Sequence, residues 1–257
     1  MEKKNKPAII LISSILLVII AAVVFVSVIM PSQKYKTALA QVEAGNYYEA
    51  YTIFESLGEY KDSLERLNQL SQQYGADFCV QQIKARGDMA ALSKVTFGDY
   101  TWLVVNVEKN RALLMTNDIA GERAYNDDAT SITWEESTMR SYLNGEFYQQ
   151  FSPADKAKIL ETALTNPDNE RYGTAGGNDT KDYVFLLSVD EVNQFLPQSH
   201  HKDIQRYWRL RTPGATDNTV AYVDYASNDN YAEVQLHGRE ATIVSGFRPA
   251  LYINLEP

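Results

Sequence analysis

Cysteine is almost absent. Cys79 is the single one among 257 residues, so no intramolecular disulfide can form and the fold must rest on its hydrophobic core. Histidine is nearly as scarce. His200 and His201 are adjacent and point to opposite sides of an extended chain, and Glu233 and His237 are four apart in a strand pattern rather than a helical one. No metal site and no cofactor are expected. Positive charge is the minority sign, 24 Lys and Arg against 33 Asp and Glu, for a net charge of −9. That balance disfavours nucleic-acid and anionic-lipid binding, both of which need clustered Lys and Arg. Familiar catalytic frames are also missing. There is no G-x-S-x-G elbow around Ser245, and Gly173-x-x-Gly176-Gly177 lacks the Lys-Ser/Thr of a P-loop. Paired carboxylates of a hydrolase have no distinguishing spacing, and no pair stands out.

What the chain does have is an uncharged run from Ala8 to Met30, AIILISSILLVIIAAVVFVSVIM. At about 1.5 Å per helical residue it reaches roughly 35 Å, enough to cross a hydrocarbon core of about 30 Å with some tilt. A helix suits it, because lipid offers no partners for backbone groups; Ser13, Ser14 and Ser27 can return their hydroxyls to the preceding turn. Lys3, Lys4 and Lys6 precede the run, so residues 1–7 are expected in the cytoplasm, 8–30 in the membrane as a single-pass signal-anchor, and the rest outside. A cleaved signal peptide is the competing reading; its apolar core is usually about 7–15 residues and ends in small residues. Removing Glu2 and the three lysines takes the net charge from −9 to −11 for the exported part.

Residues 31–92 read as helical. Gln33 to Ala91 contains no proline, and apolar residues recur at three and four. Gly45-Asn46-Tyr47-Tyr48-Glu49-Ala50-Tyr51-Thr52-Ile53-Phe54-Glu55-Ser56-Leu57 resembles the middle of a tetratricopeptide repeat. Gly45 would end one helix in the left-handed conformation. Ala38, Leu39 and Val42 would then face Ala50, Phe54 and Leu57. A further helix from Lys61 carries the stripe Leu64, Leu67, Leu70, Tyr74, Phe78 and Ile83. Barely one repeat is present, too short for a solenoid, so a stalk is expected.

From residue 93 to 257 the period changes to two. Strands are expected at Val95–Phe97, Tyr100–Val107, Arg111–Thr116, Tyr183–Leu187, Tyr207–Arg211, Thr219–Val223, Ala232–Leu236 and Phe247–Leu255, with tight turns between the first three. Thr133-Trp134-Glu135-Glu136 and Ser188-Val189-Asp190-Glu191 read as capping boxes. Ser152-Pro153 opens another helix with Ile159, Leu160, Ala163 and Leu164 as its apolar face. The loop Asn166–Asp182 is rich in Gly, Asn and Asp. Asn178, Asp179 and Asp182 in it do not have EF-hand spacing, and Asn166-Pro167-Asp168 reads as a turn. The fold class is α+β, with mostly antiparallel sheet and inserted helices.

Several motifs together resemble a bacterial family, domain of unknown function 6273. They are Phe97-Gly98-x-Tyr100-x-Trp102, Trp134-Glu135-x-Ser137-x-x-Arg140-x-Tyr142-Leu143-Asn144-x-x-Phe147, Asp182-x-Val184-Phe185-Leu186-Leu187-Ser188-x-x-Glu191-Val192, Trp208-x-Leu210-Arg211-Thr212-Pro213 and Gly246-Phe247-Arg248-Pro249-Ala250. The resemblance spans about 95–255. It implies an anchored or exported protein of a Gram-positive bacterium and carries no established activity. Trp-x-Leu-Arg and the terminal Gly-Phe-Arg-Pro also look like formylglycine-generating-enzyme and C-type-lectin-like folds. The oxidase chemistry of the former needs active-site cysteines, and none follows Cys79.

The function expected is therefore a membrane-anchored extracytoplasmic binding module for a cell-wall glycan, a peptide or a surface protein. An envelope hydrolase, or a scaffold working through the stalk, is the alternative. Arg140, Arg211 and Arg248 recur beside aromatics, either hydrogen-bonding loop carbonyls and stacking on rings or lining a carboxylate or glycan pocket. The candidate ligand-binding residues are Trp208, Arg211, Tyr222, Tyr225, Asn228, Tyr231 and Arg248. No catalytic or metal-binding residue is expected.

Overall fold

The computed structural model describes residues 16–196, 206–224 and 232–256, which divide into two compact units at Tyr74–Gly75. Sequence periodicity placed that division near residue 93. The difference arises because the Lys61-onward stripe is two helices. The first, ending at Gln73, is followed by Tyr74 outside helical geometry, and the helix that starts at Gly75 buries Ala76, Cys79, Val80 and Ile83 in the core of the second unit.

In the first unit, α1 (Leu16–Glu43) is 28 residues long. It is long and apolar enough to cross a membrane, and Leu16 to Met30 are exposed throughout. Its π-helical turn at Phe25–Ile29 follows Val23, whose carbonyl accepts the Ser27 hydroxyl at 2.5 Å, the back-bond anticipated for that serine. Ser13 and Ser14 lie outside the described residues. Gly45, at φ +78°, turns the chain, and the Asn46 amide reaches back to the Gln41 carbonyl at 2.9 Å. This wrap-around bond caps the helix end and needs the left-handed glycine. Helix α2 (Tyr47–Leu57) then lies against α1, with Tyr35, Ala38, Ala50 and Phe54 buried together. Helix α3 (Ser63–Gln73) closes the unit with Leu70 in the same cluster.

The second unit is α+β. Helix α4 (Gly75–Arg86) leads into β1 (Lys94–Phe97), β2 (Tyr100–Val107) and β3 (Arg111–Thr116), the meander the alternation anticipated. Gly98 takes φ +56° at the first turn, and the Trp102 indole donates to the Phe97 carbonyl at 2.8 Å across it. After β4 (Gly121–Arg123) comes α5 (Thr138–Tyr142), continued by a π-helical turn at Leu143–Phe147. Its cap is Ser137, whose hydroxyl accepts the Arg140 amide; the expected box at Thr133 does not form. Trp134 instead occupies a turn and turns its buried indole to Asp182.

Helix α6 (Pro153–Lys156) is capped by Ser152 as expected but lasts one turn. Ile159, Leu160 and Leu164, read above as its apolar face, belong to strands β5 (Ile159–Leu160) and β6 (Thr162–Leu164). Thr162 and Leu164 are buried and Ala163 is exposed, a period of two, and β5 finds a partner in the last strand. Strand β7 (Thr180–Asp182) pairs with β6. Tyr183–Leu187 is not a strand in a ladder: Val184 to Leu187 are buried, with a lone bridge from Phe185 to Ala250. The Ser188–Glu191 capping box forms fully and starts α7 (Val189–Phe195).

The remaining strands are β8 (Trp208–Pro213), β9 (Thr219–Val223), β10 (Val234–Glu240), β11 (Ser245–Phe247) and β12 (Ala250–Asn254). The single terminal strand expected over 247–255 is two, and they lie in different sheets. One sheet runs β1-β2-β3-β12-β5, the other β10-β9-β8-β11-β4 with β11 parallel to β8. Arg248 and Pro249 make the switch. Proline has no amide to give a ladder, while its carbonyl accepts the Thr116 amide at 2.9 Å. Trp102, Leu113, Phe185, Leu210 and Leu251, from both sheets and the segment between them, share one buried cluster.

Candidate functional site

Trp208, Arg211, Tyr222 and Arg248 are all buried, and Tyr225, Asn228 and Tyr231 lie outside the described residues. The two arginines are occupied internally. Arg211 is paired with Glu191 at 2.5 and 3.0 Å, and it also donates to the Leu186 carbonyl and to Asn166 Oδ1. It thereby ties α7, β8 and the Asn166 loop together. Arg248 donates to the carbonyls of Thr116 and Asn117 at 2.9 and 3.0 Å, with its guanidinium 4.9 Å from the Trp208 ring centre. Burial pulls its pKa down to about 10. These contacts are the carbonyl-and-ring arrangement, so neither guanidinium faces solvent for a ligand.

A third arginine, Arg209, had no sequence signal beyond its place in Trp208-Arg209-Leu210-Arg211. It donates to the carbonyls of Arg239, Glu240 and Ile243 at 2.7–3.1 Å and so fastens the end of β10. Arg140 holds the Glu135 and Lys181 carbonyls at 3.0 and 3.3 Å, the loop-carbonyl role expected of it, and also meets Asp182, a partner the sequence did not indicate. The fully buried Asp182 carboxylate accepts from Arg140 Nε at 2.7 Å, Thr180 Oγ1 at 2.8 Å, Trp134 Nε1 at 2.9 Å and Asn144 Nδ2 at 3.3 Å. Four donors on one carboxylate tie the Trp134–Phe147 motif to the Asp182–Val192 motif, with Thr180 of the same strand as the fourth.

The Asn-rich loop is held by its own amides. Asn169 donates to the carbonyls of Pro213 and Leu236 at 2.8 and 3.0 Å, and Asp168 accepts the Gly176 amide at 2.9 Å. Asn166-Pro167-Asp168, expected as a turn, has no turn geometry; the turn lies at 170–172, where the Gly173 amide donates to the Asn169 carbonyl at 2.7 Å. No group of three His, Cys, Asp or Glu side chains suited to a metal occurs among the described residues; His200 and His201 lie outside them. Beside the loop is a cavity of about 130 Å³ lined by residues including Asp168, Asn169, Asp190 and Thr212, below the roughly 300 Å³ of ordinary small-molecule sites. Cys79 is fully buried, and burial pushes its thiol pKa up.

A further aromatic group spans from the core to the surface, with Tyr222 at its buried end. Tyr222 on β9 meets Tyr207 edge-on at 5.7 Å and His237 of β10 at 5.8 Å. Strand pairing of Gln235 with Tyr222 brings β10 alongside. The Arg239 guanidinium covers both tyrosines, 3.9 Å from the Tyr207 ring centre and 4.8 Å from that of Tyr222. Tyr207 and Arg239 are half-buried and His237 is exposed. Flat rings beside a planar cation suit contact with a sugar face or a peptide group.

Residues 109–255 match the model of a domain family of unknown function, DUF6273. The chain belongs to the DUF6273 family. No curated protein and no solved structure matches it. In this DUF6273 domain the matched region runs from the β2–β3 turn to the end of β12 and includes the Asp182 node, the three buried arginines and the Tyr207–Arg239 face.

Proposed function

We propose that this DUF6273 protein is a membrane-anchored extracytoplasmic binding module. Its ligand face is formed by Tyr207, His237 and Arg239, with the buried Tyr222 ring supporting them from beneath, and it takes a cell-wall glycan or a surface protein. The observation that carries this reading is the placement of the arginines. Arg140, Arg209, Arg211 and Arg248 turn to internal acceptors, whereas Arg239 lies over two tyrosine rings beside an exposed histidine.

The apolar α1 supports anchoring, and Lys3, Lys4 and Lys6 before it favour a cytoplasmic amino end. On this reading the α1–α2 hairpin is a tetratricopeptide-like spacer, and the β-sheet unit is a lectin-like scaffold in a Gram-positive envelope. The test is a cell-wall and glycan-array binding assay with the full chain in detergent. Binding that is lost in Tyr207→Ala and Arg239→Ala, with the fold intact by circular dichroism, supports the reading. Equal binding by those variants overturns the assigned face. Digestion of the second unit by protease added to intact cells supports the topology, and protection of that unit until the cells are permeabilised overturns it.

A further inference from the structure

The first unit contains a groove of about 370 Å³ between α1 and α2, lined by Met30, Gln33, Lys34 and Thr37 on one side and Thr52, Ile53 and Ser56 on the other. Resting on the anchored reading, we propose that this groove holds the headgroup of an anionic phospholipid. Depth is the first reason. Met30 ends the exposed apolar stretch, and at about 1.5 Å per residue Lys34 and Thr37 stand roughly 6 and 10 Å beyond it. That is the height of the headgroup layer, which adds several ångströms on each side of the hydrocarbon core.

Composition is the second reason. The lining holds one ammonium, one amide and three hydroxyls, and no carboxylate. The chain past the anchor is acidic, which argues against a broad basic patch, so the attraction has to be local. Lys34 Nζ reaches across the groove to Ser56 Oγ at 3.4 Å. The hydroxyl protons of Thr37, Thr52 and Ser56 each go to a carbonyl of their own helix. The charged contact with a phosphate therefore falls to Lys34, assisted by the Gln33 amide, while Met30 and Ile53 provide an apolar floor where the glycerol and first acyl carbons emerge. Lys36 is an exposed cation at nearly the same depth but does not line the groove, which makes it a matched control.

The full chain is incorporated into nanodiscs of phosphatidylcholine doped with phosphatidylglycerol, and the lipids it retains are read by native mass spectrometry. The expected result is retention of phosphatidylglycerol over phosphatidylcholine by about fivefold, the effect of roughly one basic residue at an anionic surface. Lys34→Gln removes the preference and Lys36→Gln keeps it. Glycerol phosphate and inorganic phosphate in solution do not displace the lipid. Equal retention of the two lipids, or equal losses in both lysine variants, overturns the groove while leaving the anchor standing. Displacement by inorganic phosphate overturns the lipid as occupant. Failure to enter nanodiscs overturns the anchored reading, and the groove's role with it.

Discussion

Replacing Asp182 by alanine isolates the interaction on which the middle of the DUF6273 domain depends. The side chain is fully buried and accepts from Arg140, Thr180, Trp134 and Asn144. Alanine strands the Trp134 indole N–H, which has nowhere else to donate because Trp134 is 1 % exposed. An unmatched buried donor costs about 1–3 kcal/mol. Arg140 also loses its ion partner. Breaking a buried pair from one side costs about 3–5 kcal/mol, but the Arg140 side chain is 28 % exposed, and water recovers part of that. The two losses overlap, and about 3–4 kcal/mol is the expected total, a large share of the roughly 5–15 kcal/mol that holds a domain.

Asparagine does not repair the site. With its carbonyl toward Arg140, its NH2 faces the Trp134 and Thr180 donors; flipped, it faces Arg140. Asp182→Asn, although the neutral isostere, should therefore still lose about 2–3 kcal/mol. Urea unfolding followed by tryptophan fluorescence reads this directly, because Trp102, Trp134 and Trp208 all lie in the second unit. A loss under about 1 kcal/mol in Asp182→Ala would refute the carboxylate as the organising acceptor.

Other outcomes follow from the same geometry. A Cβ at Gly176 would sit 2.1 Å from the Asn166 carbonyl oxygen, whereas one at Gly145 meets nothing within 4 Å. Gly176→Ala should lower stability by about 1–3 kcal/mol or more and Gly145→Ala should leave it unchanged or raise it slightly, both by thermal melting. Cys79 should resist a thiol reagent in the native protein and react once urea opens the core, since burial both shields the thiol and raises its pKa. Tyr35 donates its hydroxyl to Asp62; that hydrogen bond raises the phenol above its ordinary pKa of 10 and lowers the Asp62 carboxyl. The raised phenol contributes stability present below about pH 10 and lost above it, and the lowered carboxyl stability present above about pH 4 and lost in acid. Ultraviolet titration should therefore find a tyrosine ionising late, and Asp62→Asn should bring it back toward 10.

Local chemistry was legible wherever one residue decided it alone. Gly45 and Gly98 had to take positive φ; Ser152 and Ser188 had to cap; the alternation in Tyr100–Val107 had to make a strand. Failures came where a distant partner decided. Ile159 and Leu160 look helical after Ser152-Pro153, yet the open edge of β12 takes them as a strand. Thr133-x-x-Glu136 has the form of a capping box, but Trp134 is held at Asp182, 48 positions away. Phe247–Leu255 reads as one strand, but its two halves serve different sheets because Arg248 is held at the Thr116 and Asn117 carbonyls and proline follows.

The arginines show why the candidate site was the least legible part. An arginine beside a tryptophan has the same sequence appearance whether its fork meets backbone carbonyls or a ligand; what separates them is whether enough acceptors converge on it. Arg211 has a carboxylate and three further oxygens, and Arg209 at least three carbonyls. Those acceptors come from residues up to 46 positions away, so no window of the sequence contains them. Arg239, just past a break in the β10 register, carried no motif, yet it lies over the rings of Tyr207 and Tyr222. A guanidinium over aromatic rings is less fully engaged than one ringed by carbonyls and a carboxylate. A half-buried arginine over two edge-on tyrosines is therefore the stronger candidate for recognition than a fully buried arginine in a family motif, and that is why the proposed face shifts from Arg211 and Arg248 to Arg239.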